Sequence, residues 1–320
     1  MTLGIALLGT GGIAQHAFVP AVHAVAVARL VAVLSRDKTR GAAFAQQHGI
    51  PEVYDHLDTL LRSPQVDAVI VATPDALHEP QVIAAVQAGK HVLCEKPMTT
   101  TYAGCQRMAA AIRASGVTFA MGYNNRFNTG LQHIKALLEA QEIGPVRYAR
   151  ALLITQNQDP RGWRAHSEQA RYWALSAVGT HLIDVWRWYF GEPASVGGGL
   201  ASPVYQGPND EVATLVFDYP GRLLAECTVA AVFQGGNRLE LYGEDGAIIG
   251  ENVFGSHPRG PITCKGREVT YQPVNPFVEE VADFVQAIQQ QREPRVTLED
   301  GLRNVYIMEA AREGQLQRPL

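Results

Sequence analysis

Through residues 1–122, short, predominantly apolar runs alternate with longer stretches of mixed polarity. The runs are Leu3–Leu8, Leu30–Leu34, Val66–Val71, His91–Cys94 and Val117–Met121. Predominantly apolar runs of this length predict strands buried on both faces. Between them lie an Ala-rich stretch after residue 14 and helix patterns over Thr39–His48, Leu57–Arg62, Glu79–Ala88 (closed by Gly89) and Thr101–Ala114. Regular alternation of strand and helix predicts a doubly wound parallel sheet. From residue 123 the pattern changes. After a helix over Thr129–Ala140, strand-like runs recur at Val146–Thr155, Ala194–Leu200, Glu211–Phe217, Leu223–Val232, Asn237–Tyr242 and Gly246–Gly250. Tight turns such as Pro220-Gly221 and Glu244-Asp245-Gly246 separate several of them, which favours antiparallel pairing. Helices are predicted over Tyr172–Phe190, Pro276–Gln291 and Leu298–Gly314. The expected fold class is α/β: a doubly wound domain over residues 1–122, then an α+β domain with an open, largely antiparallel sheet over 123–320.

Composition narrows the classes. The 320 residues are 47% hydrophobic and 18% charged with net charge −4, so neither a nucleic-acid nor a membrane-surface partner is expected. No apolar run reaches transmembrane length. The first apolar stretch lacks a basic n-region and runs into glycines, unlike a signal peptide. The four cysteines form no CxxC and the ten histidines no HExxH, so the expectation is a reduced, metal-free cytoplasmic protein.

The chemistry starts at Gly9-Thr10-Gly11-Gly12-Ile13-Ala14, between the first strand and the first helix. This GxGxxA is the Rossmann dinucleotide fingerprint when strand and helix flank it, and an ordinary Gly-rich turn when they do not. Gly9 turns the chain, Gly11 admits a pyrophosphate to the backbone, and Ala14 lets helix and strand pack closely. The helix N-terminus offers its free N–H groups to the phosphates. The second strand ends in Ser35-Arg36-Asp37, with Arg40 a turn later. An NAD-selective domain usually places an acid at this strand end, whereas a hydroxyl with guanidinium groups suits a 2′-phosphate. NADP is therefore the expected cofactor and NAD the alternative. Asp37 reads either as a ribose contact or as a helix N-cap. Thr73, Pro74, His78, Glu95, Lys96 and Pro97 also fall at carboxyl ends of strands, the edge where such sheets bind ligands.

The segments GTGGIA, ATPDALH and CEKPM, in this order and spacing, resemble the glucose–fructose oxidoreductase / inositol dehydrogenase (Gfo/Idh/MocA) family. The similarity continues through the whole chain, and RGAAF and LYGEDGAIIGEN are most similar to NADP-dependent sugar reductases within it. The resemblance implies hydride transfer between a nicotinamide and a carbinol or carbonyl carbon of a sugar or cyclitol. It implies Lys96 and His181 as proton-transfer residues. Implied cofactor contacts are Gly9, Thr10, Gly11, Gly12, Ile13, Ser35, Arg36, Arg40, Thr73, Pro74, His78, Glu95, Lys96 and Asn124. Implied substrate contacts are Lys96, Tyr123, Arg126, Trp163, Arg164 and His181. A lysine of ordinary pKa, about 10.4, needs burial or a neighbouring cation to exchange protons near neutrality. A helical histidine alone is more often a packed core residue, and Trp163 reads equally well as a loop anchor.

Relatives carry an Asp four residues before this histidine, and this chain has Ala177. His181 is therefore expected to be less basic, unless Asp184 or a substrate group compensates, though Asp184 reads as structural, on another flank of the helix. The family also implies a homodimer or homotetramer through the outer face of the second sheet. Three readings stay open: a sugar or cyclitol oxidoreductase, an NAD(P)-assisted glycoside hydrolase or lyase, and a catalytically silent nucleotide-binding relative.

Overall fold

The computed structural model describes residues 2–156, 161–166, 169–255 and 258–314. The chain forms two compact units, Met1–Tyr123 with Phe277–Leu302, and Asn124–Pro276 with Arg303–Leu320.

The first unit holds six parallel strands: β1 (Leu3–Leu8), β2 (Ala28–Leu34), β3 (Glu52–Tyr54), β4 (Ala68–Val71), β5 (His91–Glu95) and β6 (Phe119–Gly122). Their order, β3-β2-β1-β4-β5-β6, is that of a dinucleotide-binding Rossmann sheet. β1 and β4 are buried along their whole length, as strands covered on both faces must be. Strand β3 carries no hydrophobic run, and only its pairing to β2 makes it a strand. The helices are α1 (Val19–Ala24), α2 (Lys38–His48), α3 (Leu57–Leu61), α4 (Asp75–Gln87) and α5 (Tyr102–Ser115). A π-helical segment, Ala14–Phe18, runs straight into α1. Helix α4 begins at Asp75, four residues before the predicted Glu79. Pro80 lies inside it, and the ring bonds of His78 described below hold the extra turn.

The second unit contains α6 (Thr129–Glu139), β7 (Val146–Ile154), α7 (Thr180–Phe190), β8 (Ser195–Ala201), β9 (Val212–Tyr219), β10 (Leu223–Ala230), β11 (Asn237–Gly243), β12 (Gly246–Glu251), β13 (Ile262–Cys264) and β14 (Arg267–Glu268). The strands form one sheet in the order β14-β13-β12-β11-β7-β10-β9-β8, antiparallel except for β7 with β10. The two-residue alternation in β7, β9 and β10 puts Ala149, Leu215, Phe217 and Cys227 in the core. Tyr148, Arg150, Val216, Leu224 and Glu226 lie on the opposite face. On that outer face Tyr148 stacks on Tyr242 at 5.8 Å between centroids, and its hydroxyl donates to Glu226 at 2.7 Å.

The chain closes with α8 (Pro276–Gln290) and α9 (Leu298–Arg312). The sequence pattern assigns both to the second domain. The tertiary packing instead returns Phe277–Leu302 to the first unit, because Phe277, Val281, Phe284 and Val285 complete the core under β1. The carbonyl of Val296 accepts from the Met121 N–H at 3.1 Å. Among the described residues no helix is long and apolar enough to cross a membrane, and no cluster of His, Cys, Asp or Glu could hold a metal.

Candidate functional site

The glycine motif occupies the point where the strand order reverses, between β1 and β4. Gly9 has φ +109°, and a Cβ there would stand 2.7 Å from the carbonyl oxygen of Ala72. Only glycine makes this turn beside the end of β4. Thr10 is half-buried, and Gly11, Gly12 and Ile13 are exposed where the helical run through α1 begins. A Cβ on Gly11 would meet nothing within 4 Å. Open space over exposed backbone at a helix N-terminus fits a pyrophosphate, so these residues suit a dinucleotide.

At the end of β2 the structure distinguishes residues that the sequence grouped together. Asp37 is the N-cap of α2, accepting from the Arg40 N–H at 3.0 Å. Ser35 is buried, and its hydroxyl donates to the Asp37 carbonyl at 2.8 Å. Its side chain therefore packs the loop, with its proton engaged. Arg36 and Arg40 are exposed, and both are able to donate to a phosphate.

Around the ends of β4 and β5 most polar groups bond to each other. The Thr73 hydroxyl donates to Gln81 Oε1 at 2.6 Å, and Pro74 caps α4. The imidazole of His78, 1% exposed, bonds to the Thr73 carbonyl through Nε2 and to the Pro97 carbonyl through Nδ1, each at 2.9 Å. Its ring faces protein on both edges, a poor geometry for the cofactor contact expected of it. Glu95 is buried, and its Oε2 accepts from the backbone N–H of Lys96 at 2.9 Å. Lys96 is 9% exposed, a rare environment for a lysine. Tyr123, expected against the substrate, is fully buried in the first unit.

In the second unit His181 lies in the first turn of α7, partly buried. The predicted helix over Tyr172–Phe190 is not uniform: Leu175–Gly179 is π-helical and leads directly into α7. Gly179 lets this segment press on β10, since a Cβ would stand 3.2 Å from Val229 Cγ2. Asp210 anchors the N-terminus, accepting from the backbone N–H groups of Trp173 at 2.9 Å and Leu175 at 2.7 Å. Burial pushes its carboxyl up to about 6, against the lowering by those two bonds.

Arg126, expected against a sugar hydroxyl, instead holds Asp184. Its Nε and Nη2 donate to the two carboxylate oxygens at 2.8 Å each, and Asn304 Nδ2 adds a third bond at 3.1 Å. With no exposed surface and these partners, Asp184 is structural and does not replace the carboxylate missing at Ala177. Asn124 is buried and donates to the Gly255 carbonyl at 3.5 Å. The Arg164 guanidinium stacks over the Trp163 ring at 4.2 Å, and the Arg164 carbonyl accepts from Asn209 at 2.8 Å, so the pair belongs to a tied-down loop.

Asp210 and Glu280 are among the buried acids that escaped the sequence reading. Asp210 lay in a polar stretch that reads as a turn. Glu280 of α8 is 2% exposed, and burial, then the charges of Glu95 and Asp283, pushes its carboxyl well up. Its position three residues after Phe277 and four before Phe284, on the apolar stripe, was the available signal.

Comparisons with known proteins agree with this architecture. A family model for the oxidoreductase family with an NAD-binding Rossmann fold (GFO_IDH_MocA) matches residues 3–123, and one for the GFO/IDH/MocA C-terminal domain matches residues 131–249. The chain is 27% identical over 321 residues to a 1,5-anhydro-D-fructose reductase of Ensifer adhaerens, covering 97% of this chain and 96% of that protein. It is 30% identical over 284 residues to inositol 2-dehydrogenase 2 of Saccharopolyspora erythraea, covering 86% and 79%. The crystal structure of an aldose-aldose oxidoreductase from Caulobacter crescentus, complexed with glycerol, matches with TM-score 0.91 and 28% identity over 100% of both chains. With both units matched in order, the chain belongs to the GFO/IDH/MocA oxidoreductase family, and its first unit is that family's NAD(P)-binding Rossmann fold.

Proposed function

We propose that the protein is an NADP-dependent oxidoreductase that moves hydride between the nicotinamide and a carbinol or carbonyl carbon of a sugar or cyclitol. The observation that carries this reading is Lys96. It is a nearly buried lysine at the carboxyl end of β5, its backbone fixed by Glu95, in a fold whose ligands bind at that edge. The relatives named for anhydrofructose and inositol support the substrate class. The exposed guanidiniums of Arg36 and Arg40, with the intervening Asp37 engaged as the N-cap of α2, support NADP over NAD.

When bound, the nicotinamide supplies or accepts the hydride. The chain's task is proton management at the substrate oxygen. In reduction Lys96 Nζ polarises the carbonyl and gives its proton to the developing alkoxide; in oxidation it takes that proton back. His181 is the second proton-transfer residue, working without the carboxylate that relatives place one turn earlier. The outer face of the second sheet, with Val216, Leu224 and Tyr242 exposed between charged groups, supports assembly into a homodimer or homotetramer. A cytoplasmic location fits the free cysteines Cys94, Cys105, Cys227 and Cys264.

The test is NADPH consumption against a panel of keto-sugars and keto-cyclitols, with wild type and Lys96→Ala. The variant is expected to bind NADP(H) as before and to lose about 100-fold or more in kcat and kcat/KM together. A change confined to KM would reduce Lys96 to a binding residue. Glycoside cleavage without net NADPH change would establish the hydrolase or lyase reading, and binding without any turnover the silent one.

A further inference from the structure

We propose that His78 is held as a buried imidazolium whose two N–H groups fix the turn carrying Lys96, making it a positioning residue for proton transfer. The argument rests on what its partners are. Nδ1 is 2.9 Å from the Pro97 carbonyl oxygen and Nε2 is 2.9 Å from the Thr73 carbonyl oxygen. A carbonyl oxygen only accepts, so both ring nitrogens must donate, and only the charged ring has two N–H groups. A neutral ring would turn a nitrogen lone pair towards a carbonyl oxygen at hydrogen-bond distance, with no surface left to water.

Two buried carboxylates lie on the elements that the ring joins. Asp75, three residues earlier on α4, is 1% exposed, and Glu95, at the end of β5, is 5% exposed. Both act electrostatically on the buried Cys94 thiol, whose sulfur faces the Glu95 carbonyl at 3.4 Å and the Met98 carbonyl at 4.0 Å. Other titratable groups of this neighbourhood are Lys96 itself, Glu79 on α4, which is ion-paired to Arg107 on α5, Cys105 on α5 and Glu280 on α8, which feels Glu95. The mechanical consequence falls on Lys96. Its own N–H is held by the Glu95 carboxylate, and the carbonyl of the next residue is held by His78. The far end of the tie, Thr73, is secured to α4 by its hydroxyl bond to Gln81. Lys96 is thus bracketed by one bond on each side, and the backbone that aims its side chain is fixed to β4 and α4.

This inference rests on the reading of Lys96 as a proton-transfer residue, and the experiment separates the two. Ring-15N-labelled protein, with His78 assigned by comparison with His78→Gln, is expected to show two protonated ring nitrogens near neutral pH. A single protonated nitrogen overturns the proposal, and this measurement needs no turnover. In His78→Gln, amide hydrogen exchange over residues 94–99 should rise about tenfold, and kcat should fall about tenfold at saturating cofactor and substrate, with NADP(H) affinity kept. Unchanged exchange and kcat would refute the tie. Weakened cofactor binding with kcat intact would make His78 a cofactor contact instead. Two ring N–H groups and a protected segment in a protein that reduces no sugar would leave the tie standing and remove the chemistry assigned to Lys96.

Discussion

Arg126 decides between a substrate contact and a structural ion pair. Its side chain is 11% exposed and that of Asp184 0%, joined by two bonds of 2.8 Å. Arg126→Met would leave a fully buried carboxylate with the single Asn304 bond. Stranding one partner of a buried pair costs about 3–5 kcal/mol. For a unit of this size each kcal/mol is worth about 2–4 °C, so the midpoint should fall by about 10 °C. The protein's four tryptophans, Trp163, Trp173, Trp186 and Trp188, all lie in the second unit, so fluorescence follows that unit alone. The double variant Arg126→Met/Asp184→Leu removes both charges and should recover much of the loss, with a coupling of about 1–3 kcal/mol in the cycle. An unchanged midpoint in Arg126→Met, together with a raised KM for sugar, would refute the ion-pair account and restore Arg126 to the substrate.

Three further outcomes follow from the geometry. Arg36→Ala/Arg40→Ala should weaken NADP(H) about tenfold or more and leave NAD(H) nearly unchanged in titration; equal losses would remove these guanidiniums from the 2′-phosphate. Asp210, pushed up to about 6 by burial, holds its proton more tightly folded than unfolded, where 3.8 applies. Its contribution to stability therefore falls by about 3 kcal/mol as pH rises from about 4 to about 6 and stays flat above. Asp210→Asn should remove that fall, so the difference in midpoint between variant and wild type should grow in the variant's favour across this window; parallel curves would contradict it. Ala177→Asp should favour the imidazolium form of His181 and shift the pH–rate profile upward, and an unmoved NMR titration of His181 would show that the two side chains do not meet.

Much of this protein was determined by the sequence alone, because its signals were local. The apolar runs at Leu3–Leu8 and Ala68–Val71 mark strands that no polar face interrupts. GTGGIA between strand and helix specifies the nucleotide turn, since a Cβ at Gly9 would strike the Ala72 carbonyl. Asp37 as an N-cap was one of two readings open in the sequence, and its bond to the Arg40 N–H settles it. Strand β3 has no such signal, because Glu52-Val53-Tyr54 becomes a strand only by pairing with β2. What only the tertiary structure decided were partnerships across long chain separations. Phe277 and Phe284 return to the first core although they follow the second unit in sequence. Arg126 meets Asp184, Leu175 meets Asp210, and Glu280 lies beside Glu95. His78 made the difference clearest, since its residue type and position at a strand edge read as a ligand contact. Its function depends on which oxygen stands at each end of the ring, and residues as distant as Pro97 set that through the packing of β4 against β5. Local sequence encodes backbone conformation and the face a side chain occupies. The partner of a buried polar group is fixed by the whole fold, because each such group must find a partner in the interior.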